Sequence, residues 1–171
     1  MLSKPWTLLC VPILAVFMVS VGAQSLSESP CYLTLKEHRS DQLLAQWKMP
    51  DGPVRFSVEF IHSVLNTPVQ DIYEMRAHHG QWRAHLVQEV FQGQGYGLPY
   101  AATDSSETMI RDGETWRLTL DRVIDPFIQL PLPSQKITLV WGDSRVRLGD
   151  LSDRSVRITL QGCPTPEAAS N

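Results

Sequence analysis

Hydrophobic and polar residues alternate along much of the chain beyond residue 30. In residues 56–64 the even-numbered positions are apolar except for His62, while Ser57, Glu59 and Ser63 lie among the odd-numbered positions. A period of two places successive side chains on opposite faces of a strand. The pattern therefore predicts a strand over residues 56–64 with one imidazole on its apolar face. Similar patterns predict strands at Tyr32–Lys36, Leu43–Lys48 and Ser155–Leu160.

We predict three hairpins by choosing, for each turn, the strand pairing that keeps the apolar side chains on one face of the two strands. Their two-residue turns are centred on His79-Gly80, Asp112-Gly113 and Gly142-Asp143. The predicted apolar pairs are Tyr73 with Leu86, Met75 with Ala84, Ala77 with Trp82, Met109 with Trp116, Leu139 with Val146, and Ile137 with Leu148.

Short strands joined by regular turns are typical of all-β proteins. Because no long helical period occurs, we predict an all-β fold, a mostly antiparallel sandwich or partly open barrel built from hairpins. Residues 31–163 form its single β-domain. Residues 164–171 are small and polar, which predicts a disordered tail.

The first 23 residues are typical of an export segment. Lys4 precedes an apolar run from Trp6 to Val21, and the small residues Gly22 and Ala23 resemble a cleavage site. We expect a signal peptide over residues 1–23 and a periplasmic or exported protein. In the alternative, residues 6–23 stay uncleaved and anchor the chain to the inner membrane.

Cysteine usage agrees with an oxidising compartment. Once the export segment is removed, Cys31 and Cys163 remain, one near each end of the domain. An even pair in such a compartment predicts a disulfide, with two free thiols as the alternative. A net charge of −3 excludes the basic surface typical of nucleic-acid binding, so we expect no nucleic-acid partner.

His62 is the first candidate for chemistry, because a polar ring among apolar neighbours needs a partner. It could orient a ligand at the mouth of a cleft, or it could simply bond to a backbone carbonyl. A hydrolase would use His62 as general base with Asp71 as its orienter. Ser63 points to the other face of the predicted strand, so it is not a nucleophile for His62.

The glycine-rich segment from Gly93 to Pro99 is the second candidate. Backbone amides near Gly95 and Gly97 could form an anion-binding nest, although a tight connection explains the glycines equally well. The spacing is not that of a dinucleotide site, and we predict no cofactor. The histidines at 78, 79 and 85 lack the ligand number and spacing of a metal site.

These segments together resemble the domain-of-unknown-function family numbered 1850. The resemblance rests on His62-Ser63-Val64, on Pro68-Val69 followed by Asp71, and on Gly95 to Pro99, and it covers roughly Cys31 to Leu151. Two positions depart from the family's pattern. Asp71 stands where glutamate is usual, and Tyr96 stands where a smaller residue is common.

The resemblance implies a small exported bacterial protein, often encoded beside a tripartite ATP-independent periplasmic transporter with a TAXI-type solute receptor. We therefore expect a non-enzymatic accessory domain that binds a small solute, with anionic solutes among the candidates, or a transporter component, either the periplasmic receptor or the membrane subunit. The hydrolase and a purely structural or assembly module remain the alternatives. The expected ligand-binding residues are His62, Ser63, Asp71, Gly95, Gly97 and Pro99.

Overall fold

The structure is a computed structural model that describes residues 30–49 and 54–164. The predicted export segment, residues 1–23, and the predicted tail beyond Pro164 lie outside the described residues. Within the two described ranges, no helix is long and apolar enough to cross a membrane.

Eleven strands and one short helix make up the described part of the chain. Four strands form one sheet in the order β2-β1-β11-β8, and seven form the other in the order β10-β9-β3-β4-β5-β7-β6. The elements are β1 Tyr32–Glu37, β2 Leu43–Lys48, β3 Val54–Ile61, β4 Pro68–His78, β5 Gln81–Gln92, β6 Thr108–Asp112, β7 Thr115–Ile124, β8 Ile128–Gln129, β9 Thr138–Trp141, β10 Ser144–Arg147, α1 Leu148–Leu151 and β11 Val156–Gln161.

Every strand pairing is antiparallel, and the two sheets are not closed into a barrel. This confirms the all-β, mostly antiparallel prediction and selects open sheets. Their apolar faces share one core, which joins Leu35 and Ile158 of the smaller sheet to Val58 and Leu139 of the larger one. Burying such faces against each other is the main stabilising contribution in a sandwich.

An aromatic cluster lies at the centre of this core. Phe56 of β3 stacks on Tyr73 of β4 with ring centroids 5.6 Å apart, and Phe127 lies 4.5 Å from Tyr73. All three rings are at most 5% exposed. Aromatic rings of this kind bury large apolar areas, so they anchor the inner face of the seven-stranded sheet.

The first hairpin forms with the predicted register, which pairs Tyr73 with Leu86 and Met75 with Ala84. The third also forms as predicted, with Leu139 opposite Val146. The ladder of that hairpin ends at Arg147, and Leu148, the first residue of α1, donates its amide to the carbonyl of Ile137 at 2.9 Å.

The predicted register of the second hairpin is wrong. The turn is centred on Gly113 and Glu114 instead of one residue earlier, so Met109 faces Leu118 and Arg111 faces Trp116. The two registers differ by two residues along β7, and such a shift leaves every side chain on its original face. Alternation alone therefore cannot distinguish them.

The predicted strand over residues 56–64 ends early, at Ile61. His62 donates its amide to Thr67 and accepts one at its carbonyl from Asn66, at 2.8 and 2.9 Å, which closes a turn. Val64, predicted on the core face, is instead 54% exposed. The strand predicted at 155–160 is confirmed as β11, and those at 32–36 and 43–48 as β1 and β2.

The predicted disulfide is confirmed. Cys31 and Cys163 are bonded, with their Cα atoms 4.1 Å apart, just outside the paired strands β1 and β11. The bond closes a loop of 132 residues in sequence. In the chain-entropy model, a cross-link of that span destabilises the unfolded state by up to about 4–5 kcal/mol.

Candidate functional site

The two segments that carry the family resemblance meet at one end of the seven-stranded sheet. The Nε2 atom of His62 lies 3.2 Å from the carbonyl oxygen of Tyr96. Thr67, in the same turn as His62, donates its hydroxyl to the carbonyl of Gln92 at 2.8 Å. Two hydrogen bonds therefore tie the turn of His62 to the end of β5 and to the glycine-rich loop after it, about thirty residues further along the chain.

His62 uses both ring nitrogens in this junction. Nδ1 accepts the amides of Val64 and Leu65, at 3.2 and 3.1 Å, so the ring hydrogen is on Nε2, which donates to Tyr96. The residue is 8% exposed. With both ring nitrogens engaged by main-chain groups, His62 holds a turn and a loop together.

The glycine-rich segment is itself a tight hairpin. Gly95 and Leu98 exchange two backbone hydrogen bonds of 3.1 Å around the turn residues Tyr96 and Gly97. Both turn residues have positive φ, 54° and 103°, as a type I′ turn requires. Because the amide of Gly95 is taken inside the turn, it is not available to an anion. Gly97 is exposed at the tip, and Pro99 is half-buried beyond it.

Ser63 and Asp71 lie apart from this junction. Ser63 is exposed in the turn after β3. Asp71 lies inside β4, between Val58 and Glu89 on the neighbouring strands, and accepts a hydrogen bond of 3.2 Å from the hydroxyl of Tyr73. The structure therefore brings His62 to the glycine-rich loop but does not pair it with Asp71 as a hydrolytic dyad.

A cleft opens beside the junction, on the face of the seven-stranded sheet that is turned away from the core. Alternation puts Glu59, Gln70 and Val90 on this outer face, because their strand neighbours Val58, Val69 and Phe91 point into the core. The cleft has a volume of about 360 Å³. Its remaining outer-face and rim residues are Ile61, Pro68, Gln92, Thr115, Lys136 and Thr138.

Two of the described charged residues line the cleft, and they differ in whether an opposite charge lies beside them. Glu59 is held by the guanidinium of Arg145, with contacts of 2.5 and 3.3 Å, and the amide of Gln70 lies 3.5 Å from its carboxylate. Lys136 lies at the rim on an exposed turn, and no carboxylate of the described residues lies within 4.0 Å of its ammonium. Among the described residues that line the cleft, Lys136 is therefore the charged side chain that has no oppositely charged partner.

Comparison with protein families identifies the family of this chain. The family described as Domain of unknown function (DUF1850) matches residues 56–148. The chain belongs to this family. Neither a curated protein nor a solved structure matches it. The DUF1850 segment runs from β3 to the start of α1, so it contains the His62 junction and every residue that lines the cleft.

The DUF1850 segment also contains two half-buried carboxylates that face each other, a pairing that sequence reasoning missed. Glu89 of β5 lies directly opposite Asp71 on the inner face. Burial, reinforced by the negative charge of Glu89, raises the pKa of Asp71 to about 7, and the hydrogen bond from Tyr73 opposes that rise. One oxygen of Asp71, Oδ1, has no hydrogen-bond partner among the described residues.

The pKa of Glu89 is raised for the same main reason as that of Asp71. Burial raises the pKa of Glu89, the positive charge of Arg122 lowers it, and the negative charge of Glu107 raises it further. A β-bulge places Glu89 there, since the pairing of Tyr73 with Leu86 would otherwise bring Gln88 opposite Asp71. The alternation of apolar and polar residues along β5 does not reveal the extra residue that forms this bulge.

A hydrogen-bonded group of polar side chains lies on the outer face of the seven-stranded sheet, at the end opposite the cleft. His85 Nδ1 lies 2.7 Å from Asp121, whose second oxygen accepts a 2.8 Å bond from Arg76. The hydrogen bond from His85 and the charge of Arg76 lower the pKa of Asp121. Within residues 30–49 and 54–164, no group of three or more histidine, cysteine or acidic side chains could hold a metal ion.

Proposed function

We propose that this DUF1850 protein is a non-enzymatic, exported accessory domain that binds a small solute in the outer-face cleft. The observation that carries the proposal is the cleft itself, about 360 Å³ in volume and walled by Ile61, Pro68 and Val90. Small-molecule sites are typically concave, mostly apolar and furnished with a few polar groups. Gln70, Thr115 and Lys136 supply such groups here.

The chemistry of the residues favours binding over catalysis. Both ring nitrogens of His62 are occupied by main-chain groups, and Asp71 bonds to Tyr73 on the opposite side of the sheet from the cleft. Glu59, the carboxylate that lines the cleft, is paired with Arg145. A general base must be within hydrogen-bond reach of the proton it removes. The described cleft residues offer no free carboxylate or imidazole for that purpose.

Calorimetry of the purified protein against a panel of small solutes tests the proposal. Val90→Trp would fill the floor of the cleft, so we expect it to abolish the binding heat. Thr119→Trp is the matched control, because Thr119 is exposed on the outer face but does not line the cleft. Absence of heat for every solute, or equal loss of heat in both variants, would refute the proposal.

A transporter component is the second candidate ligand, and the tip of the His62 junction favours it. Val64, Tyr96 and Tyr100 are 54%, 74% and 73% exposed at this end of the molecule. Tyr96 holds a positive φ of 54°, which is unfavourable for a residue with a side chain and is most common at functional sites. Exposed tyrosines are frequent anchors in protein interfaces.

The tip can be tested separately from the cleft. We expect the periplasmic solute receptor to be retained on the immobilised protein, and we expect Tyr96→Asn to weaken that retention. Asparagine tolerates positive φ, so the turn is kept while the aromatic ring is lost. Val90→Trp is the control here, since it changes the cleft and leaves the tip intact. Unchanged retention by the Tyr96 variant would exclude the tip as the docking surface.

A further inference from the structure

We infer that the cleft selects a small aliphatic monocarboxylate, with its carboxylate at Lys136 and its hydrocarbon body against Ile61, Pro68 and Val90. The inference rests on the proposed binding function and specifies the class of solute. It follows from the charge, position and shape of the cleft.

The charge balance of the cleft favours an anion. The carboxylate of Glu59 is neutralised by two contacts with Arg145, so it neither repels an anion strongly nor recruits a cation. The ammonium of Lys136 is not neutralised by any described carboxylate within 4.0 Å. Asp150 and Asp153 line a neighbouring cavity together with Lys136 but form no ion pair with it.

Lys136 is positioned by its backbone rather than left on a mobile surface. It holds a positive φ of 52°, and the hydroxyl of Thr138 donates to its carbonyl oxygen at 3.0 Å. The preceding residue, Gln135, accepts the amide of Ile61 at 2.7 Å. The turn is thereby tied to the last residue of β3, which itself forms part of the cleft wall.

The shape of the cleft determines the kind of hydrocarbon body that the ligand can have. Ile61 pairs with Pro68 across β3 and β4, and Val90 lies one strand further, so an apolar floor extends away from Lys136. Apart from Glu59, which is paired with Arg145, the other described lining residues with polar side chains are neutral, namely Gln70, Gln92, Thr115 and Thr138. One cation beside an apolar floor matches one carboxylate on an aliphatic body.

The test compares three probes of similar shape and different charge, isovalerate, isovaleramide and isopentylamine, by calorimetry with the full chain. We expect isovalerate to bind about ten-fold more tightly than the amide, as a charge-assisted contact allows, and the amine to bind least. Lys136→Gln should remove this preference, and Lys136→Arg should retain it. Lys48→Gln is the matched control, because Lys48 is exposed on β2, away from the cleft.

The outcomes separate the two proposals. If isovaleramide or the amine binds as tightly as isovalerate, or if Lys136→Gln leaves the preference unchanged, the ligand class is wrong. If no probe binds but another solute is blocked by Val90→Trp, the ligand class is again wrong and the binding function stands. If Val90→Trp alters the binding of no solute, the binding function itself is overturned.

Discussion

The two faces of the seven-stranded sheet differ in whether a positive charge compensates their carboxylates. Glu59, on the outer face, is matched by Arg145 at 2.5 Å. Asp71 lies on the adjacent strand but faces the core, where it has one hydrogen bond from Tyr73 and a second carboxylate, Glu89, opposite. A buried charge without a partner is costly, whereas a paired charge at a surface is nearly neutral.

This difference shows that the polar residues of the family motif stabilise the fold, whereas the proposed binding site is built mostly from other residues. His62 and Asp71 attract attention in the sequence, yet their polar atoms are committed to the fold. The cleft, in contrast, is lined mostly by side chains outside the motif, such as Gln70, Val90 and Lys136, with Pro68 belonging to both. The polar motif residues that hold the sheet and its turns in place are therefore different from the polar residues that would touch a ligand.

The largest contrast between the faces should be in packing. Phe56→Ala removes a ring that stacks on Tyr73 and Phe127 in the core, and we expect a loss of about 3–5 kcal/mol in the free energy of unfolding. Ile61→Ala on the outer face should cost about 1 kcal/mol or less, because its site is only half-buried. Urea denaturation measures both, and equal losses would contradict the assignment of the faces.

The next contrast concerns charge and pH. The pKa of Asp71 is raised from 3.8 to about 7 in the folded protein. Its contribution to stability is therefore complete below about pH 4 and is lost as the pH rises towards 7. Asp71→Asn should raise the free energy of unfolding at pH 8 by about 2–4 kcal/mol and change it little at pH 4.

Glu59→Gln is the matched control for Asp71→Asn, since it removes one carboxylate from the outer face of the same sheet. It leaves Arg145 without its partner, so we expect a loss of about 0–1 kcal/mol. Denaturation of both variants at pH 4 and pH 8 makes the comparison. A destabilised Asp71→Asn protein at pH 8 would mean that the Asp71 carboxylate is compensated after all.

A smaller effect is expected at the junction between the motif segments. His62→Ala leaves the amides of Val64 and Leu65 without their acceptor and should cost about 2–3 kcal/mol. His62→Asn should cost about 1 kcal/mol, because its side-chain oxygen can accept the same amides while the bond to Tyr96 is lost. If thermal unfolding shows no difference between the two variants, the role assigned to Nδ1 is wrong.

The smallest effect is expected at the tip. Tyr96→Asn relieves an unfavourable positive φ at an exposed residue, so we expect a gain of about 0–1 kcal/mol in the free energy of unfolding. Tyr100→Asn, at a neighbouring exposed tyrosine whose φ is not positive, should bring no such gain. Thermal unfolding of both variants provides the measurement, and a clear loss for Tyr96→Asn would show that its ring packs in the fold.

The sequence by itself determined the period-two pattern of the strands, two of the three hairpin registers and the Cys31–Cys163 pair. These follow from local rules, because alternation selects a face and glycine-containing turns select a pairing. The family resemblance likewise anticipated the DUF1850 match over residues 56–148. Each of these depends on residues that are close in sequence or on a count of cysteines.

Tertiary structure alone decided the rest. A bulge in β5 brings Glu89 opposite Asp71, and the second hairpin takes the register that alternation cannot distinguish from its neighbour. The partner of Glu59 is Arg145, 86 residues away, and the carbonyl bonded by His62 belongs to Tyr96. Such contacts depend on strand order and sheet curvature, which are properties of the whole packed core and leave no periodic trace in any one segment.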